Sequence, residues 1–199
     1  MFSKLKPAIE PKTAAVAGPL LKLDPNIITL SSIIPAILFF VFLFEGFYIA
    51  ALISTIGFGL DFFDGIVARK KGKVSAFGGL LDSTVDRFTD ALLITAFGFA
   101  GLVRWEIVIA AFVTAYLTSY IRSRAELASK VKLKFDIGII ERPERILIIA
   151  LSLLVYTVLP DTEVMGFNVP ELGMIVLSAF GLVTIIQRLY AAYYGLKQV

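Results

Sequence analysis

Cysteine and histidine are both missing from this chain of 199 residues, and charge is scarce, with only 18% Asp, Glu, Lys and Arg. Without cysteine there are no disulfides, no thiolate nucleophile and no thiolate metal ligand. Without histidine there is no imidazole base and no imidazole-bound zinc. Carboxylates must then carry any acid–base or metal chemistry. The shortage of charge comes with 58% hydrophobic residues and a mean hydropathy of +0.86, outside the range of soluble globular proteins and inside that of integral membrane proteins. Residues 1–24 hold Lys4, Lys6, Glu10, Lys12 and Lys22 with Pro7, Pro11 and Pro19, and lack the continuous apolar core of a signal peptide. Phe2, Leu5, Ile9, Val16 and Leu20 at helical spacing predict an interfacial juxtamembrane segment, interrupted by its prolines.

Apolar runs of roughly 17 to 25 residues predict an all-α integral membrane fold with six transmembrane helices, at about 26–44, 47–68, 77–102, 105–127, 137–159 and 170–194. The connections after the first and third spans are very short and favour antiparallel hairpins. Residues 160–170, with Pro160, Gly166 and Pro170, read as an ordinary turn. No internal repeat or soluble second domain is evident, so one domain, 1–199, is expected. Lysine and arginine fall almost entirely on one side of this layout: before the first span, between the second and third, and around the connection from the fourth to the fifth. Arg104 alone belongs to the other side, with Glu45, Glu106, Asp161, Glu163 and Glu171. The positive-inside rule then makes both termini cytoplasmic, in the cell membrane.

On that same cytoplasmic side, four aspartates sit at the edges of two of the most apolar stretches. Asp61 and Asp64 are three residues apart and Asp82 and Asp86 four apart, so on helices each pair shares one face. Unmatched, such a cluster is penalised by desolvation and mutual repulsion. It implies divalent cations, and oxygen-only ligands favour Mg2+ or Mn2+. Two such ions could neutralise a nucleotide diphosphate and polarise the phosphorus under attack. Gly65 and Ala68 remove bulk beside the aspartates, Arg69 can hold a phosphate by a charged fork, and Gly78 opens the start of the third span. A single aspartate near a helix end is more often a cap; four in this pattern argue otherwise. Arg87 and Asp90 are read as structural, and Lys70, Lys71 and Lys73 as contacts to anionic headgroups.

Written as a pattern, Asp61-x2-Asp64-Gly65-x2-Ala68-Arg69-x8-Gly78-x3-Asp82-x3-Asp86 resembles the signature of the CDP-alcohol phosphatidyltransferases at all eight positions. Residues Pro25 to Thr29 look like that family's segment opening the first span. The resemblance implies a CDP-activated lipid, CDP-diacylglycerol or CDP-archaeol, as donor. It implies contacts to the CDP moiety from Asn26, Ile27, Ile28, Thr29, Gly65, Ala68, Arg69, Ser75 and Gly78. It also implies Asp61, Asp64, Asp82 and Asp86 as ligands of two ions, Asp86 as general base, membrane lipid as surroundings, a homodimer, and no nucleic acid.

The acceptor has to be read elsewhere. Residues 119–126, with Arg122 and Arg124, and residues 141–145, with Arg142 and Arg145, gather arginine near the membrane surface, and Lys132 and Lys134 lie between them. Serine would not need such a cationic group, whereas a phosphorylated polyol would. Both segments resemble the branch that uses inositol phosphate, the phosphatidylinositol phosphate and archaetidylinositol phosphate synthases. The plainer reading is that these arginines neutralise Glu126, Asp136, Glu141 and Glu144. Glycerol phosphate or another alcohol is the alternative acceptor. A divalent-cation transporter is the alternative of another class, disfavoured because no acidic chain continues to the far side.

Overall fold

The computed structural model describes residues 23–60, 67, 69–72, 75–129 and 137–197. The expected interfacial segment up to Lys22 lies outside these. The described residues fall into two units, one ending at Ala100 and the other beginning at Gly101. Both are helical apart from one small hairpin.

In the N-terminal unit, Asp24 starts α1 (Pro25–Ser31) by accepting the Asn26 N–H at 3.0 Å, with Pro25 at the first position, where its missing N–H costs nothing. The first expected span breaks at Ser32, and α2 runs from Ile33 to Phe44. Pro35 explains the break, because its ring crowds the carbonyl of Ser31 and offers that carbonyl no hydrogen. Thr29, Ser31 and Ser32 turn their hydroxyls onto the carbonyls of Pro25, Ile28 and Thr29, at 3.1, 2.7 and 2.7 Å. Such internal bonds suit surroundings without water.

A short turn through Gly46 (φ 78°) leads to α3 (Tyr48–Thr55), which tightens into a 3-10 segment at Ile56–Leu60. Gly57 lies so close to α2 that a Cβ there would stand 2.5 Å from Pro35 Cγ. The unit is completed by α4 (Ala76–Phe99), which packs on α1 and α2. Phe39 and Phe97, both fully buried, meet with ring centroids 5.9 Å apart.

In the C-terminal unit, α5 (Trp105–Ala128) and α6 (Arg142–Val158) pack on α7 (Val169–Lys197). Small residues make this possible. A Cβ on Gly173 would lie 2.7 Å from Ser152 Cβ of α6, and one on Gly181 would lie 2.9 Å from Thr114 Cβ of α5. The connection at 160–168 is more than an ordinary turn. Met165 (φ 56°) and Gly166 (φ 77°) form a tight reversal that pairs β1 (Glu163–Val164) with β2 (Phe167–Asn168).

Glu171, in the first turn of α7, clasps this end. It accepts Arg104 Nε at 2.7 Å and Arg104 Nη2 at 3.2 Å. Asn168 Nδ2 donates to the Leu102 carbonyl at 2.8 Å, and the Arg104 guanidinium lies 4.7 Å from the Phe167 ring centre. The side-chain bond to Glu171 is the main cause holding Arg104 above its ordinary pKa.

The fifth expected span begins late, at Arg142 rather than 137, because Ile137, Ile139 and Ile140 are bonded to α7 through Thr184 and Arg188 instead of to a helix of their own. Outward faces stay apolar: Ile34, Ile53, Leu182 and Ile186 are all more than half exposed. Two stretches, Pro25–Phe44 and Val169–Lys197, are long and apolar enough to cross a bilayer on length and composition.

Gly57→Val is expected to lower the stability of the detergent-solubilised protein by about 1–3 kcal/mol, the usual cost of overpacking. Thermal unfolding checks this, and an unchanged midpoint would mean that the 3-10 segment is not held against Pro35.

Candidate active site

The N-terminus of α4 is where several of the expected nucleotide contacts meet. Ser75 caps it, its Oγ accepting the Gly78 N–H at 3.0 Å. A Cβ on Gly78 would lie 3.1 Å from Ser75 Oγ and 3.5 Å from Asn26 Oδ1, so the bare glycine, the hydroxyl and the amide share one small space. Around Gly79 no neighbour comes within 4 Å of a Cβ. Open backbone at a helix N-terminus is suited to an anion.

Of the segment opening α1, Asn26 is the member that reaches this space. Ile28 and Thr29 are buried and Ile27 is exposed. Arg69 is exposed and helical, two residues before the turn at Lys71 and Gly72, and Lys71 Nζ donates to the Leu23 carbonyl at 2.6 Å.

Asp82 and Asp86 follow one and two turns further along α4, both partly buried, with Oδ1 of Asp86 shielded from solvent. Asp61, Asp64, Gly65 and Ala68 lie outside the described residues. Among the described residues, which leave out Asp61 and Asp64, no three carboxylates group as a metal site. Two carboxylates at i and i+4, with no nitrogen or sulfur donor, fit a hard divalent ion. Arg87, read as structural, donates from Nη1 to the Ser83 carbonyl of its own helix.

The C-terminal unit sorts the arginines by environment. Arg122 Nε donates to Glu126 Oε1 at 3.1 Å, one turn on, in the neutralising arrangement. Arg124 is exposed and Arg142 partly buried, while Lys132 and Lys134 lie outside the described residues. Glu141 and Glu144 close a reciprocal capping box at the start of α6, Glu144 Oε2 accepting the Glu141 N–H at 3.2 Å.

Arg145 is only 6% exposed. It donates from Nη1 to the Ala115 carbonyl at 3.2 Å and from Nη2 to Ser119 Oγ at 3.4 Å. Arg188 of α7, 4% exposed, donates from Nη1 to the Thr118 carbonyl at 2.6 Å and from Nε to the Ile137 carbonyl at 2.7 Å. Two buried guanidinium groups thus reach carbonyls three residues apart on α5. Arg188 is not among the candidate site residues read from the sequence; an arginine inside an apolar span was the available signal.

Residues 22–187 match the model of the CDP-alcohol phosphatidyltransferase family, which spans both units. Archaetidylinositol phosphate synthase of Pyrococcus horikoshii is 36% identical over 195 residues, 96% of each chain. Phosphatidylinositol phosphate synthase of Mycolicibacterium smegmatis is 34% identical over 197 residues, covering 90% of this chain and 80% of its own. The crystal structure of Mycobacterium tuberculosis phosphatidylinositol phosphate synthase with CDP-DAG bound superposes with a TM-score of 0.76 at 27% identity, over 91% of this chain and 93% of that one. The same enzyme with manganese and citrate gives 0.74 at 28% identity, over 91% and 88%.

Titration of Mn2+ followed by electron paramagnetic resonance should show binding weakened by more than about tenfold in Asp82→Asn and in Asp86→Asn, since even an outer-shell partner is worth that much. Asp90→Asn is expected to stay near the parent. Equal losses in all three would reduce the effect to general negative charge.

Proposed function

Because the chain belongs to the CDP-alcohol phosphatidyltransferase family, we propose that it moves the phosphatidyl or archaetidyl group of a CDP-activated lipid onto a hydroxyl of inositol phosphate, releasing CMP. The observation that carries this reading is the likeness to archaetidylinositol phosphate synthase over 96% of both chains, long enough to take in the arginine segments as well as the aspartates. The donor, CDP-archaeol or CDP-diacylglycerol, is bound through its pyrophosphate and cytidine by Asn26, Ser75, Gly78 and Arg69, with Ile27, Ile28, Thr29, Gly65 and Ala68 as the remaining contacts.

Two divalent ions, Mg2+ or Mn2+, held by Asp61, Asp64, Asp82 and Asp86, supply neutralisation of the pyrophosphate and polarisation of the phosphorus. Asp86 accepts the proton of the attacking hydroxyl, whose oxygen bonds to the lipid-bearing phosphorus as the bond to CMP breaks. The phosphate of the acceptor is taken by Arg142 and Arg145, with Arg124, Lys132 and Lys134 adding positive charge and Arg122 shared with Glu126. The whole chain acts as one membrane domain of six spans, with both termini and the aspartates cytoplasmic, and it works as a homodimer.

A panel of acceptors offered with radiolabelled CDP-archaeol and CDP-diacylglycerol tests this directly. Inositol phosphate is expected to release CMP, while glycerol 3-phosphate, serine and free inositol are not. Turnover with glycerol 3-phosphate and none with inositol phosphate would overturn the acceptor. Arg142→Ala is expected to raise KM for inositol phosphate by about tenfold to a hundredfold, the worth of a bond to a charged group, with KM for the CDP-lipid little changed.

A further inference from the structure

The non-helical residues 137–140 before α6 are strapped to α7 at two points, Thr184 and Arg188. Thr184 is completely buried, and its Oγ1 accepts two successive backbone N–H groups, those of Ile139 and Ile140, each at 3.2 Å. One turn along the same face, Arg188 Nε holds the Ile137 carbonyl at 2.7 Å. Between these anchors, Gly138 sits at φ 148°, and a Cβ there would be 2.5 Å from Thr184 Cγ2. Only glycine therefore lets this segment lie against the threonine. Ile140 is itself buried, and the next residue, Glu141, opens the capping box of α6, whose first turn carries Arg142 and Arg145.

We propose that Thr184 is a positioning residue for acceptor binding, its hydroxyl fixing residues 137–140 and through them the place and angle at which α6 presents Arg142 and Arg145. The inference rests on the acceptor role given above to those arginines. A helix start defined only by its own capping box could slide or tilt; two successive amides on one buried oxygen set it to a single position. Valine has the same shape but offers no lone pair, so Thr184→Val takes the acceptor from both N–H groups and leaves the buried one, that of Ile140, unsatisfied. Serine keeps the acceptor and omits the methyl.

Steady-state kinetics on the full-length protein, varying inositol phosphate and CDP-lipid in turn, separates this from a general packing role. Thr184→Val is expected to raise KM for inositol phosphate about tenfold with KM for CDP-lipid unchanged, and Thr184→Ser to restore the parent value. Gly138→Ala, which attacks the same contact from the other side, is expected to give the same selective defect. Equal changes in both KM values, a serine variant as impaired as valine, or an unchanged acceptor KM in Thr184→Val would overturn the proposal. Arg142→Ala run alongside keeps the two ideas apart. If it raises the acceptor KM and Thr184→Val does not, the positioning role fails alone. If Arg142→Ala leaves that KM unchanged, the acceptor assignment has failed first.

Discussion

Asp82 and Asp86, partly buried one and two turns along α4 and on the same face of it, set the condition that everything near them has to meet. Two partly buried carboxylates one turn apart repel each other, and a divalent ion between them would relieve that repulsion. The nearby helix start suits a phosphate-bearing ligand. Arg87 turns back to its own helix, and the nearby α4 N-terminus offers Ser75, Gly78 and Asn26 around an open stretch of backbone. A bare ion pathway would have no use for a capped, glycine-lined helix start.

The C-terminal unit meets the opposite problem with positive charge. Arg145 and Arg188 are buried among helices, and backbone carbonyls of α5 share their charge. Residues on α7 divide by face: Gly173, Gly181, Thr184 and Arg188 turn inward, where close approach and hydrogen bonds are needed, while Leu182, Ile186 and Leu189 face out. Polar groups inside and apolar groups outside is the reverse of a water-soluble helix bundle and suits a lipid setting. At the other end of this unit, Arg104, Glu171 and Asn168 satisfy one another in a single clasp.

Much of this was legible in the chain, because apolar run length and charge spacing are local properties. The helices α4, α5 and α7 begin and end within a few residues of where the apolar runs do. The aspartate spacing pointed to divalent cations, and Gly65, Ala68, Arg69 and Gly78 among the aspartates pointed to a nucleotide diphosphate. What escaped reading depends on contacts distant in sequence. The late start of α6 follows from bonds between Ile139, Ile140 and Thr184, 45 and 44 residues away, which no periodicity records. The burial of Arg145 is of the same kind, since an arginine one turn into a helix near the surface gives no sign that its guanidinium will reach Ala115 and Ser119. The break at Ser32 was readable from Pro35 but hidden by an otherwise continuous apolar run. Ser75 was expected to touch nucleotide, and its bond to Gly78 shows a capping role that serves the same helix end.

The central claim is that the four aspartates hold divalent ions against a nucleotide pyrophosphate. Crystals grown with CDP and Mn2+ test it most directly through anomalous scattering at the manganese edge. Two peaks enclosed by Asp61, Asp64, Asp82 and Asp86, with the pyrophosphate lying toward Ser75 and Gly78, are the predicted result. Manganese bound away from these carboxylates, or CDP seated without any ion between it and them, would contradict the account.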